Sequence, residues 1–186
     1  SVEEELEKVK RKAEKLLEDS DREIKRVTKK AEKVLEDSRK AVEEVEKEVK
    51  EVLDEIRANV REEDLKRILE ELTEKIKRLT DRLREVLKDS ERNVRELKKE
   101  LERMLEESKK DIEELVRELE EVSRVSDEKK AREVLKKVED RIEENRRRNE
   151  EVLEKAEKII EDNRRKNKTE LDKVKEIIRR IREEAR

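Results

Sequence analysis

Ile24–Ala41 reads IKRVTKKAEKVLEDSRKA, and this one stretch decides the fold. Its apolar or small residues fall at Ile24, Val27, Ala31, Val34 and Ser38, with Leu35 beside the stripe and Val42 opening the next row. The steps run three, four, three, four and four. Five turns thus take eighteen residues, or 3.6 per turn, which is the period of an unstrained α-helix. The rows on either side repeat it. Leu6–Glu23 reads LEKVKRKAEKLLEDSDRE and Val42–Asn59 reads VEEVEKEVKEVLDEIRAN. Columns align as Leu6, Ile24, Val42; as Val9, Val27, Val45; and as Leu16, Val34, Val52.

The same period governs the rest of the chain. Ile76, Val94 and Ile112 share a column, as do Leu83, Leu101 and Leu119. Ile142, Ile160 and Ile178 share another, as do Val138, Ala156 and Val174. The phase slips twice, near residues 58–64 and again near 123–130. Cap signals agree with those slips. Ser1, Asn59 and Ser126 each precede a carboxylate-bearing first turn, where a side-chain acceptor and negative charge both favour a helix start. The pattern predicts helices over 2–57, 60–122 and 127–185, joined by short connections that make neighbours antiparallel. The expected fold class is all-α: a long, nearly straight antiparallel three-helix bundle running up-down-up, a single domain over 1–186. A heptad repeat would impose a left-handed supercoil and an eleven-residue repeat a right-handed one; eighteen residues over five turns requires neither.

Composition excludes much else. Charged residues make up 61% of the 186 residues, hydrophobic ones 30%, and Gly, Pro, Cys, His, Trp, Tyr and Phe are all absent. The 55 basic and 58 acidic side chains nearly cancel, leaving a formal charge of −3, so the chain is not driven apart by its own charge. Without Cys there is no thiol nucleophile or thiolate metal site; without His the commonest general base and metal ligand are missing. Without Gly neither a dinucleotide fingerprint nor a P-loop can form. No apolar run reaches the roughly 20 residues of a membrane span, and no signal peptide is legible. The expectation is a soluble chain, cytoplasmic in a recombinant host, with no catalytic residue, no cofactor and no metal.

Strict repetition, Glu/Lys/Arg surfaces and Leu/Ile/Val seams resemble a de novo designed parametric helical bundle. Natural three-helix proteins such as spectrin repeats share the layout but carry aromatic cores, which this sequence lacks. The resemblance covers the whole chain and implies a structural purpose. Ser1 in place of an initiator Met is also what cleavage of a tag leaves.

Polar residues interrupt the seam at Ser20, Ser38, Ser90, Ser108, Asn145, Asn149, Asn163 and Asn167. Asn is a poor helix-interior residue, and burying its amide unpaired costs several kcal/mol, so these positions need a reason. If the connections lie where the phase slips, a residue of helix 1 stands level with one about 128 higher in helix 3. Ser20 then stands beside Asn149 and Ser38 beside Asn167. Ser108 falls within a turn of Asn145, and Ser90 within a turn of Asn163. Two clusters result, Ser20, Ser108, Asn145, Asn149 and Ser38, Ser90, Asn163, Asn167, about 27 Å apart. Asn offers two donors and an acceptor oxygen, and Ser one donor and an acceptor oxygen, so such a cluster can satisfy itself across three helices. A slipped register would strand those amides in hydrocarbon, which makes the layers specifiers of helix register and pairing. The competing reading has each Ser bonding its own i−4 carbonyl and each Asn at the seam's edge in water. Thr28, Thr73 and Thr80 flank the seam as boundary residues, and Val116, Ile159 and Ile177 widen it.

The favoured function is therefore a rigid monomeric scaffold with no partner. The alternative is an interaction module that pairs in trans as a homo-oligomer. Arg146-Arg147-Arg148 and Arg164-Arg165-Lys166 are basic runs, but neighbouring Glu offsets them, no aromatic can stack on a base, and the pI is about 5.6. Neither nucleic acid nor a membrane is an expected partner.

Overall fold

The computed structural model describes residues 1–59 and 62–184. The protein is an all-α three-helix bundle: α1 Val2–Asn59, α2 Glu62–Val122 and α3 Glu128–Glu184. Among the described residues there is no strand, no cis peptide and no residue with positive φ.

The caps differ in part from the sequence expectation. At Ser1 the hydroxyl accepts the Glu4 amide at 3.3 Å, with Glu4 three residues on in the capping-box position. At α3 the cap is Asp127 and not Ser126. The Asp127 carboxylate accepts the Lys129 amide at 3.0 Å, and its carbonyl accepts the Ala131 amide at 3.0 Å. Asp caps as well as Ser and adds a charge that suits the helix dipole, so it takes the site one residue later. Asn59, the expected cap of α2, is the last residue of α1, and residues 60 and 61, which it would cap, lie outside the described residues. With no Gly to turn the chain, the good helix formers Arg57 and Ala58 carry α1 past the expected end. Val60, where α2 was expected to start, and Ala185, at the expected end of α3, lie outside the described residues.

All three helices contribute to each of two compact units. The first comprises Ser1–Lys30 with Glu96–Lys158, and the second Ala31–Arg95 with Ile159–Arg186. In the first unit the core gathers Val9, Ala13 and Leu16 of α1, Ile112, Leu115 and Leu119 of α2, and Ala131, Leu135 and Val138 of α3. In the second it gathers Val45, Val52 and Ile56, Ile76 and Leu83, and Val174, Ile178 and Ile181. Every described seam position is buried or half-buried, including Leu35 and Leu97. Ala13, Ala31, Ala131 and Ala156 are all at most 1% exposed, and such small residues let helices approach closely where Leu elsewhere fills volume. Burying each Leu or Ile contributes about 1.5–3 kcal/mol, which is where the bundle's stability resides.

Side-chain pairs fix the helix order within each unit. Lys12 to Glu139 and Arg26 to Glu157 join α1 to α3 in the first unit, with both residue numbers rising together, so these helices run parallel. Arg39 to Glu91 and Arg84 to Glu46 join α1 to α2 in the second, with numbers running in opposite directions, so these run antiparallel. The ion pairs are largely exposed, and each contributes at most about 1 kcal/mol. Val116 and Ile177 pack against the cores as expected, Thr28 and Thr80 are half-buried, and Thr73 is exposed. Ile159 does not widen the stripe: it is 38% exposed, one residue before the buried Ile160 and so turned about 100° from the seam.

Candidate functional site: two Ser/Asn layers

In the first unit Asn149 of α3 joins all three helices. Its amide Nδ2 donates to Ser20 Oγ of α1 at 3.0 Å and to Ser108 Oγ of α2 at 3.0 Å. Ser108 Oγ also lies 3.2 Å from Asn149 Oδ1, to which it can donate. Ser20, Ser108 and Asn149 are each at most 5% exposed. Asn145, one turn before Asn149, is equally buried and donates through Nδ2 to Asp111 Oδ2 at 3.3 Å. Asp111 in turn faces the Arg148 guanidinium at 3.8 Å.

The second unit repeats the device eighteen residues along each helix. Asn167 Nδ2 donates to Ser38 Oγ at 2.8 Å, and Ser90 Oγ donates to Asn167 Oδ1 at 2.9 Å. Ser38 spends its own proton on the Val34 carbonyl at 2.8 Å, the i−4 bond of the competing reading. It therefore serves its helix and the layer at once. Asn163 accepts at Oδ1 from Asn93 Nδ2 at 3.0 Å. Here Ser90 and Asn163 are buried, while Ser38 and Asn167 are half-buried. Among the described residues no buried side-chain nitrogen or oxygen lacks a partner.

The α1–α3 pairing falls where the sequence places it: Ser20 with Asn149, and Ser38 with Asn167, each 129 residues apart. The α2–α3 pairing differs by one turn. Ser108 bonds Asn149 and not Asn145, and Ser90 bonds Asn167 and not Asn163. Helical side chains lean toward their own N-terminus. Between parallel helices both partners lean the same way and the register is unaffected. Between antiparallel helices the tips meet only if the partner is taken further along the chain, which is the direction of the observed offset. Two layer members escaped the sequence reading, Asn93 and Asp111. The eighteen-residue period held the signal, since each immediately precedes a seam residue, Val94 and Ile112, and they share one column.

Chemically the layers are amides and hydroxyls turned on one another, with one carboxylate, Asp111, at the edge of the first. Among the described residues no group of three or more Asp, Glu, His or Cys could hold a metal ion, and no helix is long and apolar enough to cross a membrane. The shifted titrations lie on the surface. A hydrogen bond from Arg26 holds the Glu23 carboxyl below its ordinary value, and Arg164 and Arg179 do the same for Glu161 and Glu176. These are helix-surface ion pairs at i, i+3.

Fold and layers together define a class: an all-α bundle whose three helices are cross-linked by buried polar side chains. No protein-family model, no curated protein and no solved structure matches the chain.

Proposed function

We propose that this chain is a structural scaffold, a designed helical bundle in which the two Ser/Asn layers set helix register and pairing. In this reading it is a monomer with no catalytic activity, cofactor, nucleic-acid or membrane partner, and its 3.6-residue period asks for no supercoil. The observation that carries the reading is Asn149, a buried amide with partners on both other helices, repeated eighteen residues on at Asn167. A lone buried amide is a liability in an apolar seam; two matched layers penalise every other alignment of the three helices.

The test is the double variant Asn149→Leu, Asn167→Leu. Leucine restores apolar packing of similar volume, so melting should be unchanged or raised, as when other buried polar groups are replaced by hydrophobic ones. Sedimentation at two concentrations should then show mixed oligomers where the parent shows one species. A large loss of stability with a unique monomer retained would contradict the proposal, because the layers would then serve stability and not specificity. A parent that already self-associates would favour the interaction-module reading.

A further inference from the structure

The second layer borders a cavity that the register role does not use. Its volume is about 170 Å³, and its lining includes Val34, Ser38, Val42, Val86 and Asn167. The sequence repeat explains the space. The positions eighteen residues away in the first unit, Leu16, Ile24 and Met104, are occupied by Val34, Val42 and Val86 here, and Ala41 stands where the first unit has Glu23. Each exchange removes side-chain volume beside the same polar layer. A dry engineered cavity of about 150 Å³ admits benzene, so this space is of a size for one six-membered carbon ring.

The polar end of the cavity is specific. Asn149 in the first unit donates both amide hydrogens, one to each Ser. Asn167 donates one to Ser38, and its Oδ1 accepts the Ser90 proton. The second Asn167 N–H has no partner among the described residues, and the side chain is half-buried at the cavity wall. Ser38 has its proton committed to Val34, so the free donor is the amide. Asp37, Arg164 and Lys168, all exposed, also line the cavity; Arg164 is paired with Glu161 at 2.6 Å, which leaves one acid and one base, so the mouth selects for neither sign of charge.

We propose that this cavity is a binding site for a neutral six-membered carbon ring carrying one acceptor oxygen, with the ring against Val34, Val42 and Val86 and the oxygen accepting from Asn167. The inference rests on volume and hydrogen-bond accounting and is independent of what the layers do for register. The probe is cyclohexanone, titrated into the full chain and followed by the methyl and side-chain amide NMR signals. Saturable shifts are expected at Val34, Val86 and the Asn167 amide, and none at Asn149. Asn167→Leu should weaken cyclohexanone about fivefold, the worth of one net hydrogen bond. The triple variant Val34→Leu, Val42→Ile, Val86→Met installs the first unit's residues, and it should abolish saturable binding while staying folded. Shifts that grow linearly without saturating in the parent chain would overturn the proposal. So would a triple variant that titrates like the parent.

Discussion

The two layers share Ser and Asn in four columns and differ in a fifth, Asp111 against Asn93, and they are not equally buried. Ser20, Ser108, Asn145 and Asn149 are all at most 5% exposed, whereas Ser38 and Asn167 are half-open. Nothing in the polar residues accounts for this. The difference lies in their apolar neighbours, where Leu, Ile and Met of the first unit give way to three valines in the second. A buried hydrogen bond is made by the residues that exclude water from it as much as by its donor and acceptor.

The comparison predicts a graded response to the same lesion. Asn149→Asp removes two donated hydrogen bonds and places a charge in a closed seam, and it should cost about 3 kcal/mol in urea denaturation at neutral pH. Asn167→Asp removes one donated hydrogen bond and places the charge in the half-open layer, where water reaches the carboxylate, and should cost about 1 kcal/mol. Equal losses would erase the distinction between the layers. An effect of opposite sign and intermediate size follows from filling the second layer's surroundings. Val34→Leu with Val42→Ile and Val86→Met should raise stability by about 2 kcal/mol, the reverse of creating a void, and should slow hydrogen exchange of the Asn167 amide.

The weakest effect is that of acid. Glu23 in the first unit and Glu161 and Glu176 in the second are held below the ordinary 4.5 by hydrogen bonds from Arg26, Arg164 and Arg179. Their folded values lie below their unfolded ones. The stabilisation is therefore complete above the unfolded value and is lost as pH falls through the folded value. The melting temperature should drop as pH is lowered below about 4.5. Glu161→Gln with Glu176→Gln should flatten that slope without moving the neutral-pH melt appreciably, since both pairs are exposed.

Much of this architecture is legible in the amino-acid sequence. A period of eighteen residues names the inward face of each helix, and every described seam column from Val9 to Ile181 is at least half-buried as that period requires. The α1–α3 register was legible too, because parallel helices with two short connections repeat at a nearly constant offset. The α2–α3 register was not, because counting residues ignores the lean of side chains, which shifts contacts between antiparallel helices. Asp127 replaced Ser126 as a cap because both residues satisfy the same rule and only local geometry chooses between them. Asn93 and Asp111 were missed because they stand one residue off the apolar stripe, at the edge where a polar residue draws no notice. Ile159 and Ile177 share a column one residue before the seam, yet Ile177 packs against its core and Ile159 is 38% exposed, a difference the eighteen-residue period does not carry.

The claim that the layers fix register can be tested within the first unit by a distance between spin labels at Lys8→Cys on α1 and Lys155→Cys on α3, both exposed. The labels are offset along the helix axis, so a slip of one turn moves the distance by about 5 Å. With both layers intact a single narrow distance is predicted, and in the Asn149→Leu, Asn167→Leu background the distribution should broaden or split by that amount. The same narrow peak in both backgrounds would contradict the account, because the apolar seam alone would then be holding the helices in place.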